Sequence, residues 1–394
     1  MIKNKRIDKI NSVRRFFLFF LIISAFLCAS EFVLRQFTPL GDALNNLEYY
    51  AGLSFSEEEL ETAMKAREDL ASIGEKIIGV PGTLIYRYKK AETESFIFNS
   101  FGFRGEEPSK KAENEYRIGV FGDSRVLGIY LAEENTIPFI LQEKAQLEFP
   151  QKKITVFNIG IEGNDLRRAI SFAEFDGESL GLDMAVFYSG VNDINYSFKE
   201  GNVELKPFKE GDEMYQNLVE DITTHGKKPF WERSRLVTAV KEAVLSDLVK
   251  YFSSFTKEQV FQKLAPEFER MAVEFAEKFN ERIRLTSEKF EKKGIKTVFF
   301  FPPIIQLKEP LSKIERNMLY KNEMSIAGYN NYFIKCAEGV SESENPVIFS
   351  QKDIFRGYRE TVFFDGIHFT PEASRIVGND VAAKVVSILK KELD

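Results

Sequence analysis

Histidine and cysteine are nearly absent from this chain: its 394 residues carry two of each, with a single tryptophan. Cys28 and Cys336 cannot build a disulfide framework or a thiolate metal site. His225 and His368 form no His-x-x-x-His pair, so a zinc enzyme would lack its ligands. An excess of basic charge is missing too. With 54 Lys and Arg against 60 Asp and Glu the net charge is −6, and no basic domain that would mark a nucleic-acid binder emerges outside the N-terminus. There are no internal repeats or low-complexity tracts. The composition that remains, 44% hydrophobic and 29% charged, is ordinary for a globular protein with a sizeable core.

The positive charge is local. Lys3, Lys5, Arg6, Lys9, Arg14 and Arg15 precede an uncharged run from Phe16 to Ser30, and Glu31 to Arg35 continues it less cleanly. No small-x-small cleavage site follows, and Cys28 is preceded by Leu27 rather than the small residue of a lipoprotein site. The expectation is an uncleaved signal anchor, a transmembrane helix over 16–35, in preference to a cleaved leader or a buried helix. The basic residues 1–15 then lie in the cytoplasm and the rest of the chain is extracytoplasmic or periplasmic, on the far side of the inner membrane. Residues 36–112 read as a stalk or lead-in region, with a helix-prone acidic piece at 56–76 and turns at 99–105.

From residue 113 onwards strands alternate with helices. Tyr116 to Phe121, Ile154 to Gly160, Met184 to Gly190, Thr297 to Phe301 and Val347 to Ser350 read as strands. Phe268, Met271, Ala272, Phe275, Phe279 and Ile283 mark an amphipathic helix, and Thr370-Pro371 is an N-cap followed by proline at the first helical position of another. Such alternation predicts an α/β fold: a three-layer α/β/α arrangement with a central parallel sheet. An insertion over about 195–264 interrupts it, carrying Trp231, the solvated loop histidine His225 and an apolar stripe at Val237, Val240, Val244, Leu248 and Phe252. It reads as packing on the core or as a lid over the catalytic edge.

Three of these strands deliver polar residues or bare backbone to one edge, where open parallel sheets bind ligands. The first runs into Gly122-Asp123-Ser124, the second into Gly160 and Gly163, the third into Val191-Asn192-Asp193. Near the C-terminus Asp365-Gly-Ile-His368 places a carboxylate three residues before the histidine. A serine hydroxyl becomes a nucleophile only when a base takes its proton, and a histidine does so only when a third group holds its tautomer. Ser124, His368 and Asp365 suit those roles. Asp193 reads as structural, bonding to nearby backbone. Arg125 is placed either to bind an anionic substrate group or, by slight preference, to pair with a nearby carboxylate.

In chain order VFGDSRVLG, NIGIEG, GVND and DGIH, the sequence resembles the SGNH (GDSL-type) hydrolases, in their membrane-anchored form. Arg125 stands where the family usually has leucine. The resemblance implies the flavodoxin-like fold of that family. It implies Ser124 as nucleophile with Asp365 and His368, and an oxyanion hole made by the amides of Ser124 and Gly160 and the side chain of Asn192. It requires no metal or organic cofactor. It also implies a serine esterase acting on O-acyl, foremost acetyl, esters of envelope or extracellular glycans, with a lipid or small acyl ester as the other substrate class. An O-acyltransferase using the same site and a non-catalytic glycan-binding scaffold are the alternatives. A nucleotide binder comes last, because Gly160-x-x-Gly163 alone is a poor phosphate cradle.

Overall fold

Alternate residues of each central strand feed two separate cores, one on each side of the sheet. The computed structural model describes residues 56–74, 77–200, 246–321 and 327–393. The expected anchor, His225, Trp231 and most of the insertion lie outside them. Among the described residues no helix is long and apolar enough to cross a membrane.

Helix α1 (Glu57–Gly74) is followed by the antiparallel pairs β1 (Ile77–Gly79) with β2 (Tyr86–Tyr88) and β3 (Ala91–Glu92) with β4 (Ile97–Phe98). The central alternation then begins: β5 (Glu115–Gly122), the single turn α2 (Ser124–Leu127), α3 (Ile137–Glu148), β6 (Lys153–Gly160), α4 (Leu166–Asp176), β7 (Met184–Tyr188) and α5 (Val191–Glu200). It continues with α6 (Ser246–Glu291), β8 (Lys296–Phe301), α7 (Lys313–Lys321), α8 (Ala327–Gly339), β9 (Ser343–Glu344), β10 (Val347–Ser350) and α9 (Pro371–Leu393).

The six-stranded sheet has the order β6-β5-β7-β8-β10-β9, parallel except for β9 against β10. Without β9 this is the 2-1-3-4-5 order of flavodoxin-like folds. Phe121, Phe187 and Phe299 stand in register across β5, β7 and β8, with ring centroids 5.4 and 4.9 Å apart. They share a core with residues of α1, α4, α6 and α8. Val120, Val186 and Val298, one residue earlier in each strand, face the opposite core with α3, α7 and α9. The period-2 alternation of strands thus produces the three layers.

Two boundaries differ from expectation. Ala63, Ala66, Leu70 and Ile73 of α1 and the aromatics Tyr86, Tyr88, Phe96, Phe98 and Phe103 sit in the same core as Phe121. The described part of the lead-in region is therefore a component of the catalytic core, not a stalk standing off it. Burial of that apolar face is what binds it there. The insertion also does not end near residue 264: α6 runs unbroken from Ser246 through Pro266 to Glu291. Proline removes one helical hydrogen bond, but the helix beyond it is held by the buried Ala272, Phe275, Phe279 and Ile283.

At the amino edge of the sheet Glu115 is buried yet charged. Its carboxylate accepts from Thr155 Oγ1 at 2.6 Å, Ala112 N at 2.7 Å and Arg117 Nη2 at 3.1 Å, with Lys153 Nζ at 3.2 Å. Burial alone would raise its pKa, but these donors hold it at about 2. A folded-state value below the ordinary 4.5 stabilises the fold in full above pH 4.5 and loses that contribution as pH falls towards 2. Glu115→Gln should therefore lower the melting temperature at pH 7, with the gap to wild type closing as the pH is taken from 4.5 to 2. Thermal unfolding across that range measures it.

Candidate active site

Strand β5 ends at Gly122, and the chain turns at once into α2. Asp123 caps that turn, its Oδ1 accepting from Arg125 N at 2.9 Å, and Gly128 closes it in the left-handed conformation at φ 74°. Between these caps Ser124 stands at the carboxyl edge of the sheet. Buried Arg104, from the lead-in segment, donates from Nη1 to the carbonyls of Leu127 at 2.9 Å and Gly128 at 3.1 Å, satisfying the helix end.

The histidine comes from the last loop, held by α9. Thr370 Oγ1 accepts from Ala373 N at 3.2 Å as the N-cap, and Pro371 opens the helix. His368 Nε2 lies 2.7 Å from Ser124 Oγ, and its Nδ1 lies 2.6 Å from Asp365 Oδ2. A carboxylate at Nδ1 selects the tautomer with its proton there, so Nε2 accepts from the serine hydroxyl. Burial would raise the Asp365 pKa. The charge and hydrogen bonds of His368, with the Ile367 and His368 amides on Oδ1 at 3.1 and 3.0 Å, outweigh this and pull it down to about 2. Asp365 is therefore an anion across the working range. Tyr130 packs edge-on against His368 at 5.2 Å, and its hydroxyl lies 3.4 Å from Asp365 Oδ2.

The loop after β6 supplies the second wall. Asn164 N donates to Ile161 O at 3.1 Å and Gly163 has φ 71°, a four-residue turn with glycine at the third position as in type II. Asn164 Nδ2 reaches back to Gly122 O at 3.3 Å, which sets the turn beside the base of α2. Asn192, at the start of α5, donates from Nδ2 to Asn164 O at 2.8 Å, and its second amide hydrogen is left over. The Gly163 and Ser124 N–H groups donate to no described residue.

Of the residues singled out in sequence, Ser124, Asp365 and His368 come together, and Asn192, at the start of α5, is bonded to the 161–164 turn. Gly160 does not fit its expected place, and Arg125 takes the carboxylate pairing rather than the substrate-binding alternative. Gly160 is buried in β6 and its N–H donates to Asn158 Oδ1 at 3.2 Å, so that amide is already engaged. Its lack of a side chain serves packing instead: a Cβ would lie 2.1 Å from Leu127 N and 2.6 Å from Leu127 Cα. Glycine here makes room for the turn that bears the serine. Arg125 is 2% exposed, its guanidinium engaged by Asp123 and its Cζ 5.6 Å from the Tyr188 ring centroid. Buried and paired with a carboxylate two residues away, it cannot meet a substrate.

Asp193 is buried and its carboxylate accepts from Leu166 N at 3.1 and 3.2 Å, at the start of α4. Burial, with Asp165 adding repulsion, pushes its pKa well up. Cys336 is a free buried thiol, pushed up to about 12 by burial. Among the described residues no cluster of three or more His, Cys, Asp or Glu is placed to hold a metal ion. Sequence reasoning brought Gly163 to the sheet edge without giving it a catalytic part, and passed over Tyr130. Only Gly163 left a signal, as the third residue of a turn-forming Ile161-Glu162-Gly163-Asn164.

A hydroxyl, an imidazole and a carboxylate in line at the carboxyl edge of a parallel sheet are the working parts of a serine hydrolase. A family profile described as GDSL-like lipase/acylhydrolase matches residues 108–381, and the chain belongs to that family, which makes it a serine ester hydrolase. No curated protein matches the chain. Among solved structures it is similar to the acetyl xylan esterase AlAXEase, at 17% identity and TM-score 0.33 over 68% of this chain and 99% of that one. Similar too are LAE5, an α/β hydrolase from the metagenome of Lake Arreo, Spain (13%, 0.33, 68% and 94%), and a variant of Axe2, an acetyl xylan esterase from Geobacillus stearothermophilus (13%, 0.31, 67% and 91%).

Proposed function

We propose that this hydrolase removes O-acyl groups, acetyl foremost, from envelope or extracellular glycans through an acyl-enzyme on Ser124. The observation that carries the reading is the continuous contact from Ser124 Oγ to His368 Nε2 at 2.7 Å and from Nδ1 to Asp365 at 2.6 Å. Ser124 attacks the ester carbonyl as His368 takes its proton, and Asp365 steadies the imidazolium so formed. The proton then passes to the sugar oxygen as its bond to the acyl carbon breaks, so the sugar leaves as an alcohol. Water, deprotonated by the same imidazole, releases the acid and restores the serine.

The negative charge on the tetrahedral intermediate needs donors already in place. We assign these to the N–H groups of Ser124 and Gly163 and the second Nδ2 hydrogen of Asn192. The first two amides have no described acceptor, and the third hydrogen is spare by stoichiometry. The basic residues and apolar run of the N-terminal sequence support a place of action outside the cytoplasm, with the chain anchored in the membrane.

A fluorophosphonate should label the wild-type protein once, and peptide mass spectrometry should place the adduct on Ser124; a folded protein without the adduct would sink the proposal. The substrate class is tested separately with acetylated glycan. Free acetate is the expected product, and acetate carried to a second sugar would make the enzyme a transferase.

A further inference from the structure

We infer that Tyr86, which lies ahead of the family-matched residues, is a positioning residue whose hydroxyl orients the Gly163 N–H towards the reacting carbonyl. The inference rests on the oxyanion assignment proposed above. The Tyr86 hydroxyl donates to the Glu162 carbonyl. That carbonyl and the Gly163 N–H belong to one planar trans peptide and point in opposite directions, so whatever holds one aims the other.

The peptide concerned is the central one of the 161–164 turn. Type I and type II turns differ by turning this unit over, and a glycine at the third position accepts either form without steric cost. The turn by itself therefore does not choose. Tyr86 chooses for it. The residue is buried, with its backbone tied into the β1–β2 pair opposite Gly79. Burial keeps its phenol protonated, and so a donor. Glu162 is held at its other end as well, by Arg67 of α1, whose Nη1 meets Oε1 at 2.9 Å. On the far side of the turn the Tyr196 hydroxyl donates to Gly163 O at 2.8 Å.

Tyr86→Phe removes the hydroxyl and keeps the ring. With an acetyl ester, kcat should fall about 10- to 100-fold with KM near wild type, less than the 10²- to 10³-fold typical of deleting such a donor outright. Fluorophosphonate labelling of Ser124 and affinity for a trifluoromethyl ketone, which binds as a tetrahedral oxyanion, should fall by the same factor. A merely structural tyrosine would lower the melting temperature and leave that affinity unchanged. Should Tyr86→Phe fail to fold, Arg67→Ala loosens the same residue from its side chain and is judged by the same ratios. Wild-type rates of labelling in the folded variant would overturn the inference alone. A wild-type protein that does not label would overturn the esterase reading and this inference with it.

Discussion

Replacing Ser124 with alanine is expected to lower kcat for ester hydrolysis by about 10⁶-fold, the loss found when the nucleophile of a serine–histidine–aspartate site is removed. Nothing else described can take its place. The Ser124 hydroxyl is the group hydrogen-bonded to His368 Nε2, and His225, the second histidine, lies outside the described residues. The change should be silent in folding, because the side chain lost is small and α2 is held by Asp123, Gly128 and Arg104. Steady-state kinetics paired with a melting curve check both halves of this expectation. Residual activity near the wild-type level in a pure, folded variant would remove Ser124 from the chemistry. The same variant separates hydrolysis from the scaffold alternative, since a glycan binder would retain its ligand and its effect.

Gly160→Ala is expected to damage both the fold and the rate, by another route. The new Cβ would lie 2.1, 2.6 and 2.7 Å from Leu127 N, Leu127 Cα and Val126 C, all backbone atoms of α2 that no rotamer change can move aside. Overpacking of a core costs about 1–3 kcal/mol, and rigid backbone places this site at the upper end or beyond. Either β6 or α2 must shift. A displacement of α2 by even part of an ångström moves Ser124 away from His368, and misplacement of about 1 Å is worth on the order of 10²-fold in rate. The variant should therefore melt earlier and lose roughly 10²-fold or more in kcat. Retention of both wild-type stability and rate would show that β6 and α2 are not locked together as described.

The two glycines of one motif show where reading a sequence stops. The meeting of Ser124, Asp365 and His368 could be anticipated, because each follows a strand end or precedes a helix cap with a local signature of its own. Gly160 and Gly163 carry the same letter in the same motif, one at the end of β6 and one in the turn after it, and letters do not say which way an amide points. The engaged N–H of Gly160 and the open one of Gly163 depend on Asn158 and on the sense of a turn. Arg125 was ambiguous for a related reason: a charge in a motif suggests a ligand, while its pairing with Asp123 is a matter of burial. The lead-in escaped because its strands are two or three residues long, too short for any period to declare itself. The continuity of α6 was hidden by Pro266, whose local preference is overridden by the packing beyond it.

Arg104 precedes the matched stretch 108–381, while Leu389 and Glu392 follow it; Leu389 is fully buried, and Glu392 accepts from Tyr116 Oη at 2.9 Å and Lys296 Nζ at 2.6 Å. Excising only the stretch that relatives have in common would strip donors from the serine turn and halve the last helix. The inherited signature and the self-sufficient folding unit are thus different lengths of chain, and the longer one begins no later than α1.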